Sequence, residues 1–165
     1  MINKINNLPR SAFIKIFANI FEKTKWIAER LHNKKPFKNF KDLCSKMLDI
    51  FEKTNKENQL IILRAHPDLA DKIKICSFTS DSLEEQSNAK LDQCSEQEFK
   101  EFKDLNNKYK KKFGFPYIIA AQGKVRKEIL NNFRKRILYN KNEEFIEAKT
   151  QVKKIASLRL KKIIN

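Results

Sequence analysis

The chain has 165 residues, long enough for one domain with a sizeable core. Thirteen Phe suit a packed interior, while 2 Gly and 4 Pro allow only few and short loops, which favours helices and argues against a turn-rich β sandwich. The charge is lopsided, 36 Lys+Arg against 20 Asp+Glu for a formal +16, and no apolar run approaches the roughly 18 residues that a membrane span needs.

The first helical pattern runs from Pro9 to about His32. Phe13, Ile16, Phe17, Ile20 and Phe21 recur at spacings of three and four, and Trp26, Ile27 and Leu31 continue an apolar face after a break near Thr24. Lys35-Pro36 interrupts. Leu43, Met47, Leu48 and Phe51 predict a helix over about Asn39 to Lys53, and Glu57 to Ala65 a third, with the wholly apolar Leu60-Ile61-Ile62-Leu63 inside it. Leu69 and Ile73 suggest a short piece after Pro67. Residues 77–82 are a polar connection ending in Ser82-Leu83-Glu84-Glu85, a capping-box pattern that opens a helix to about Gln93. Ser95 opens the next, with Phe99, Phe102, Leu105, Tyr109 and Phe113 on one face.

Phe113 to Lys124 holds both glycines and a proline, yet is mostly apolar. A buried loop must satisfy its backbone groups, so this stretch is either a ligand-binding loop or a short buried connection. Val125 to Tyr139 reads as a helix with Ile129, Phe133, Ile137 and Leu138 inward. The last helix spans about Asn142 to Ile163, with Phe145, Ala148, Val152, Ile155 and Ala156 inward. Arg159 falls on the same face, four residues after Ile155. A guanidinium aimed inward needs an anion or several acceptors; a structural ion pair, or snorkelling to solvent, would serve equally. The expected fold is all-α: a single-domain bundle of about seven to nine helices over residues 1–165.

The stretch Arg64-Ala65-His66-Pro67-Asp68-Leu69-Ala70 organises the chain. The residue before a proline is pushed out of the helical region, so His66 should stop the preceding helix. Asp68 suits the positive end of whatever helix follows. A histidine at a helix C-terminus is favoured in its protonated form by the dipole, which suits a proton donor. On these residues alone, filling a helix–helix elbow is the commoner role for such a histidine.

Cys44, Cys76 and Cys94 are widely spaced, with no Cys-x-x-Cys, and His32 lies far from His66 in sequence. No metal site is expected, and reduced thiols in a cytoplasmic protein are the default. Met1-Ile2-Asn3-Lys4 leads into no apolar secretory segment. The positive charge allows a nucleic-acid binder. Against that, it is mostly lysine spread along the chain, with arginine confined to Arg10, Arg30, Arg64, Arg126, Arg134, Arg136 and Arg159. Most aromatics fall on core-like positions, whereas nucleic-acid readers rely on arginine and exposed aromatics.

Several ordered motifs resemble one family over nearly the whole chain: 2-oxo-4-hydroxy-4-carboxy-5-ureidoimidazoline (OHCU) decarboxylase, the last step from urate to S-allantoin. The motifs are Ala65-His66-Pro67-Asp68-Leu69-Ala70, Phe21-Glu22 with Trp26-Ile27-Ala28-Glu29-Arg30, Pro36-Phe37, Ser82 with Glu85-Gln86, Leu91-Asp92, Phe113-Gly114-Phe115-Pro116, and Ile155-Ala156-x-Leu158-Arg159-Leu160. The resemblance implies an all-helical homodimer acting on a small anionic heterocycle without metal or organic cofactor, and with neither nucleic acid nor membrane as a partner. It implies His66 as the catalytic acid, with Pro67 lining the pocket. Ser82, Glu85 and Gln86 would hold the substrate's polar groups, Glu85 also assisting proton movement. Ile118, Ile119, Ala120, Ala121 and Gln122 would offer backbone hydrogen bonds, and Arg159 would meet the anion. Lys90 stands where the family usually has glycine before Leu91-Asp92, and Asp71-Lys72 follows the histidine motif where glycine is often seen. A catalytically inactive member of the same fold would carry the same motifs.

Overall fold

The computed structural model describes residues 1–69 and 96–164. Among these the regular structure is all helical, in eight helices: α1 (Ile2–Asn6), α2 (Arg10–Phe17), α3 (Lys25–His32), α4 (Phe40–Glu52), α5 (Lys56–Arg64), α6 (Glu96–Phe113), α7 (Arg126–Arg136) and α8 (Lys141–Ile164). None of the described helices is long and apolar enough to cross a membrane. The chain divides into two compact units, Met1–Ala65 with Val152–Asn165, and His66–Gln151.

Local chemistry explains several helix ends. Asn39 and Asn55 precede α4 and α5, and their side-chain oxygens accept the N–H of Asp42 and Asn58, each at 2.9 Å. Before α8, Asn140 Oδ1 accepts from Asn142 and Glu143, while Glu143 reaches back to the Asn140 N–H at 2.9 Å. That is a full capping box, two residues upstream of the Asn142 start read from the sequence. The helix α6 ends at Phe113 with Gly114 at φ +79°, the left-handed cap that glycine adopts without steric penalty.

The first unit is built on phenylalanine. Phe13, Phe17, Phe21, Phe37 and Phe51 are buried; the ring of Phe13 lies 4.5 Å from Phe17 and 6.1 Å from Phe37, and Phe21 stacks on Phe51 at 5.0 Å. Ile27, Ala28, Leu31, Leu43, Met47, Ile62, Leu63, Val152, Ala156 and Leu160 complete this core. The pattern from Pro9 to His32 is two helices, parted at residues 18–24. Thr24 is buried there, its hydroxyl donating to the Phe21 carbonyl at 3.0 Å, and Lys23 has φ +53°. A positive φ in a non-glycine residue cannot continue a helix. The break also changes which residues face inward on α2: Phe13, Ile14 and Phe17 are buried, and Ile16, expected inside, is 41% exposed. Pro36 follows a cis peptide bond, and the adjacent Phe37 is tied to Asn6 by two hydrogen bonds of 2.8 and 2.9 Å.

The second unit holds a cluster of aromatic rings. Tyr117 stacks on Phe133 at 3.9 Å, and Tyr109 meets both edge-on at 5.6 Å. Phe102, Phe113, Phe115, Ile118, Ile129 and Leu130 surround them. On α7 the face is as expected for Ile129 and Phe133, but Leu138 is 80% exposed. The helix ends at Arg136, two residues short of Leu138, so the helical spacing no longer aims that side chain. At the surface, Arg134 of α7 forks onto Glu101 of α6 through Nε (2.6 Å) and Nη2 (2.8 Å).

Candidate active site

The histidine motif sits where local sequence places it. The apolar run carries α5 to Arg64, Ala65 caps it, and His66 lies just outside the helix, before Pro67. Both ring nitrogens of His66 are withdrawn from solvent, whereas Pro67 is exposed. Asp68 is engaged by a side chain: its Oδ2 accepts from Lys110 Nζ of α6 at 2.8 Å. An imidazole shielded from water just past a helix end can give or take a proton at one fixed place, the basic requirement of general acid–base catalysis.

The segment 114–125 is irregular, and Phe115 to Ile119 are buried. Two of its backbone groups are held by buried side chains. The Ile118 carbonyl accepts from Arg136 Nη1 at 2.7 Å, and the Ala120 N–H donates to Gln151 Oε1 at 3.0 Å. Ala121 to Lys124 close a turn, the Lys124 N–H donating to the Ala121 carbonyl at 3.0 Å, with Gly123 at φ +77°. Positive φ at the third residue of four is the mark of a type II turn. Val125 then precedes α7 as its N-terminal cap residue, its N–H held by Glu128 at 2.9 Å.

Beneath this loop lies a network that the sequence did not disclose. Arg136 is 1% and Glu144 0% exposed. Arg136 Nε lies 3.1 Å from each oxygen of Glu144, its Nη2 bonds the same carboxylate, and Tyr109 donates its hydroxyl to Glu144 Oε1. The guanidinium also lies over the Tyr117 ring, 4.7 Å from its centroid. Burial pushes the Tyr109 and Tyr117 phenols far above the usual tyrosine range; the Arg136 charge opposes this, and the negative charge of Glu144 reinforces it. For Arg136 burial works against the charge, but the hydrogen bonds and charge of Glu144 hold its pKa above the ordinary value. The signal that could have found this pair is helical spacing. Arg136 lies three and seven residues after Phe133 and Ile129, and Glu144 four before Ala148, each on a face otherwise apolar.

Arg159 belongs to the other unit, Met1–Ala65 with Val152–Asn165. There its guanidinium bonds the Glu22 carboxylate through Nη2 and the Asn19 and Ile20 carbonyls through Nη1, at 3.1 and 3.0 Å. That is the structural ion pair the sequence left open as one role for it. Ser82, Glu85 and Gln86 lie outside the described residues.

Comparison with known proteins gives a consistent picture. Residues 6–161 match the family model described as OHCU decarboxylase. A 2-oxo-4-hydroxy-4-carboxy-5-ureidoimidazoline decarboxylase of Haloferax volcanii is 34% identical over 159 residues, covering 96% of this chain and 93% of the relative. A uric acid degradation bifunctional protein of Bacillus sp. is 36% identical over 162 residues; the match spans 98% of this chain but only 32% of that longer protein. Among solved structures, one described as (S)-allantoin synthase superposes with a TM-score of 0.81 at 26% identity, covering 99% of this chain and 54% of the other.

Proposed function

We propose that this chain, which belongs to the OHCU decarboxylase family, removes the carboxylate of 2-oxo-4-hydroxy-4-carboxy-5-ureidoimidazoline as carbon dioxide and leaves S-allantoin. The substrate carries a carboxylate and a hydroxyl on one ring carbon, beside a C=N bond. The bond to the carboxylate breaks, and its electron pair moves through the ring to the imine nitrogen, which takes a proton. The hydroxyl then loses its proton to become the ring carbonyl, and the neighbouring carbon gains one. Overall one proton is consumed for each carbon dioxide released. The ring accepts the electrons itself, so the protein has to orient the anion, hold protons at fixed places and protonate one face.

His66 is assigned the proton donor. Its position supports that role: the ring nitrogens are withdrawn from water just past the end of α5. Glu85 takes the hydroxyl proton or holds the imidazole in register, and Ser82 and Gln86 bind the polar groups. Pro67 packs against the ring, and the loop from Ile118 to Gln122 supplies backbone hydrogen bonds. Arg159 pairs with the substrate's anion; a guanidinium has five N–H donors, more than its contacts with Glu22, Asn19 and Ile20 use. In this reading the protein works in the cytoplasm as a homodimer, without metal or cofactor, and nucleic acid is not its partner.

The observation that carries the reading is that both ring nitrogens of His66, in the motif Ala65-His66-Pro67-Asp68-Leu69-Ala70, are withdrawn from solvent. The test supplies fresh urate-oxidase product, after hydrolysis of 5-hydroxyisourate, and follows S-allantoin by circular dichroism. Enantiomeric product formed faster with the protein than without it supports the reading. A racemic product at the uncatalysed rate rejects it.

A further inference from the structure

We propose that Gln151 is a positioning residue that sets the aim of the substrate-binding loop 118–122; the inference rests on the role given to that loop above. Gln151 lies on α8 and is 7% exposed. Its Oε1 accepts the Ala120 N–H at 3.0 Å, and its Nε2 donates to Glu147 Oε1, one helical turn earlier, at 2.6 Å. These two partners leave the amide one orientation. A carboxylate only accepts and a backbone N–H only donates, so the oxygen must face the loop and the nitrogen must face Glu147.

Two residues back along the loop, Arg136 Nη1 holds the Ile118 carbonyl at 2.7 Å. The two bonds therefore grip the two peptide groups on either side of Ile119, itself only 8% exposed. At the other end the Ala121–Lys124 turn fixes the chain again. The peptide joining Ala120 to Ala121 lies between these fixed ends, at the point where the chain passes from buried Ile119 to exposed Gln122. Its N–H has no rotational freedom once both ends are held. Backbone donors fixed before the ligand arrives bind it without a further ordering cost.

The test is Gln151→Met, which keeps the length and the helix propensity of the side chain and removes the acceptor. Steady-state kinetics on OHCU should show KM raised about tenfold, the weight of about one hydrogen bond, with kcat changed less than about threefold. Amide exchange at Ala120 and Ala121 should quicken. A merely structural role would lower the active fraction, and so the apparent kcat, while leaving KM in place. A wild-type KM in a folded Gln151→Met protein overturns the proposal, while wild-type turnover in the same assay leaves the decarboxylase reading standing. Absence of wild-type turnover overturns both. Should Gln151→Met fail to fold, Glu147→Gln carries the test. A glutamine there offers Nε2 a neutral acceptor in place of a carboxylate, so the charge-assisted bond that steadies the Gln151 amide is weakened and its oxygen is aimed less firmly at the loop. KM should then rise about threefold, and an unchanged KM overturns the proposal.

Discussion

Arg136 and Glu144 face each other across the end of α7 and the start of α8, with Nε 3.1 Å from both carboxylate oxygens and almost no solvent on either side chain. Neither charge has water to fall back on. The Ile118 carbonyl and the Tyr109 hydroxyl complete the shell, so the pair also fixes the root of the candidate binding loop. Breaking such a pair from one side leaves a buried charge uncompensated, which costs far more than the intact pair contributes.

Glu144→Leu and Arg136→Met should each destabilise the protein by about 3–5 kcal/mol. The double variant should lose clearly less than the sum, because no charge remains stranded. Urea denaturation of the three variants checks this; strict additivity would contradict it.

The buried phenols predict a loss of stability in alkali. The folded pKa values of Tyr109 and Tyr117 stand above the unfolded ones, chiefly because burial disfavours the phenolate. Above pH ~10 the unfolded chain therefore binds fewer protons than the folded one, and stability falls as pH rises. Below that range both states are protonated and the two phenols contribute no slope. Each tyrosine should add about 1.4 kcal/mol per pH unit to the decline. Denaturation midpoints between about pH 9 and 11, compared with those of Tyr117→Phe, give the measurement: the variant's curve should be shallower by one tyrosine's share.

His66→Asn should lower kcat by about 10²–10⁴, with helical circular dichroism unchanged, since His66 lies outside α5. Near-native turnover in the purified variant would remove His66 from the chemistry.

Gly123 sits at φ +77° in the turn that closes the loop, and a Cβ there would meet nothing within 4 Å. The cost of Gly123→Ala is therefore backbone strain alone, about 1–2 kcal/mol. Gly123→Asn should cost less, because asparagine tolerates the left-handed region. Thermal melts of the two variants decide it; equal losses would mean that the turn changes its type.

Much of this was legible in the residues, for a physical reason. The helix start at Asn39, the end of α5 shortly before Pro67 and the loop around the two glycines rest on backbone preferences and hydrogen bonds within about four residues, so the neighbouring side chains decide them. The family motifs are likewise read directly from the chain. Tertiary structure alone decided which apolar side chains stay wet and which charges go inside. Ile16 and Leu138 have the right character for a core but stay exposed, because α2 is turned to bury Ile14 and α7 stops at Arg136. Arg136 and Glu144 have the wrong character and are buried nonetheless. Two opposite charges can leave water together once folding brings Tyr109 and the Ile118 carbonyl to complete their hydrogen bonds. Those partners lie 35 residues from Glu144 and 18 from Arg136, a distance over which pattern carries no information.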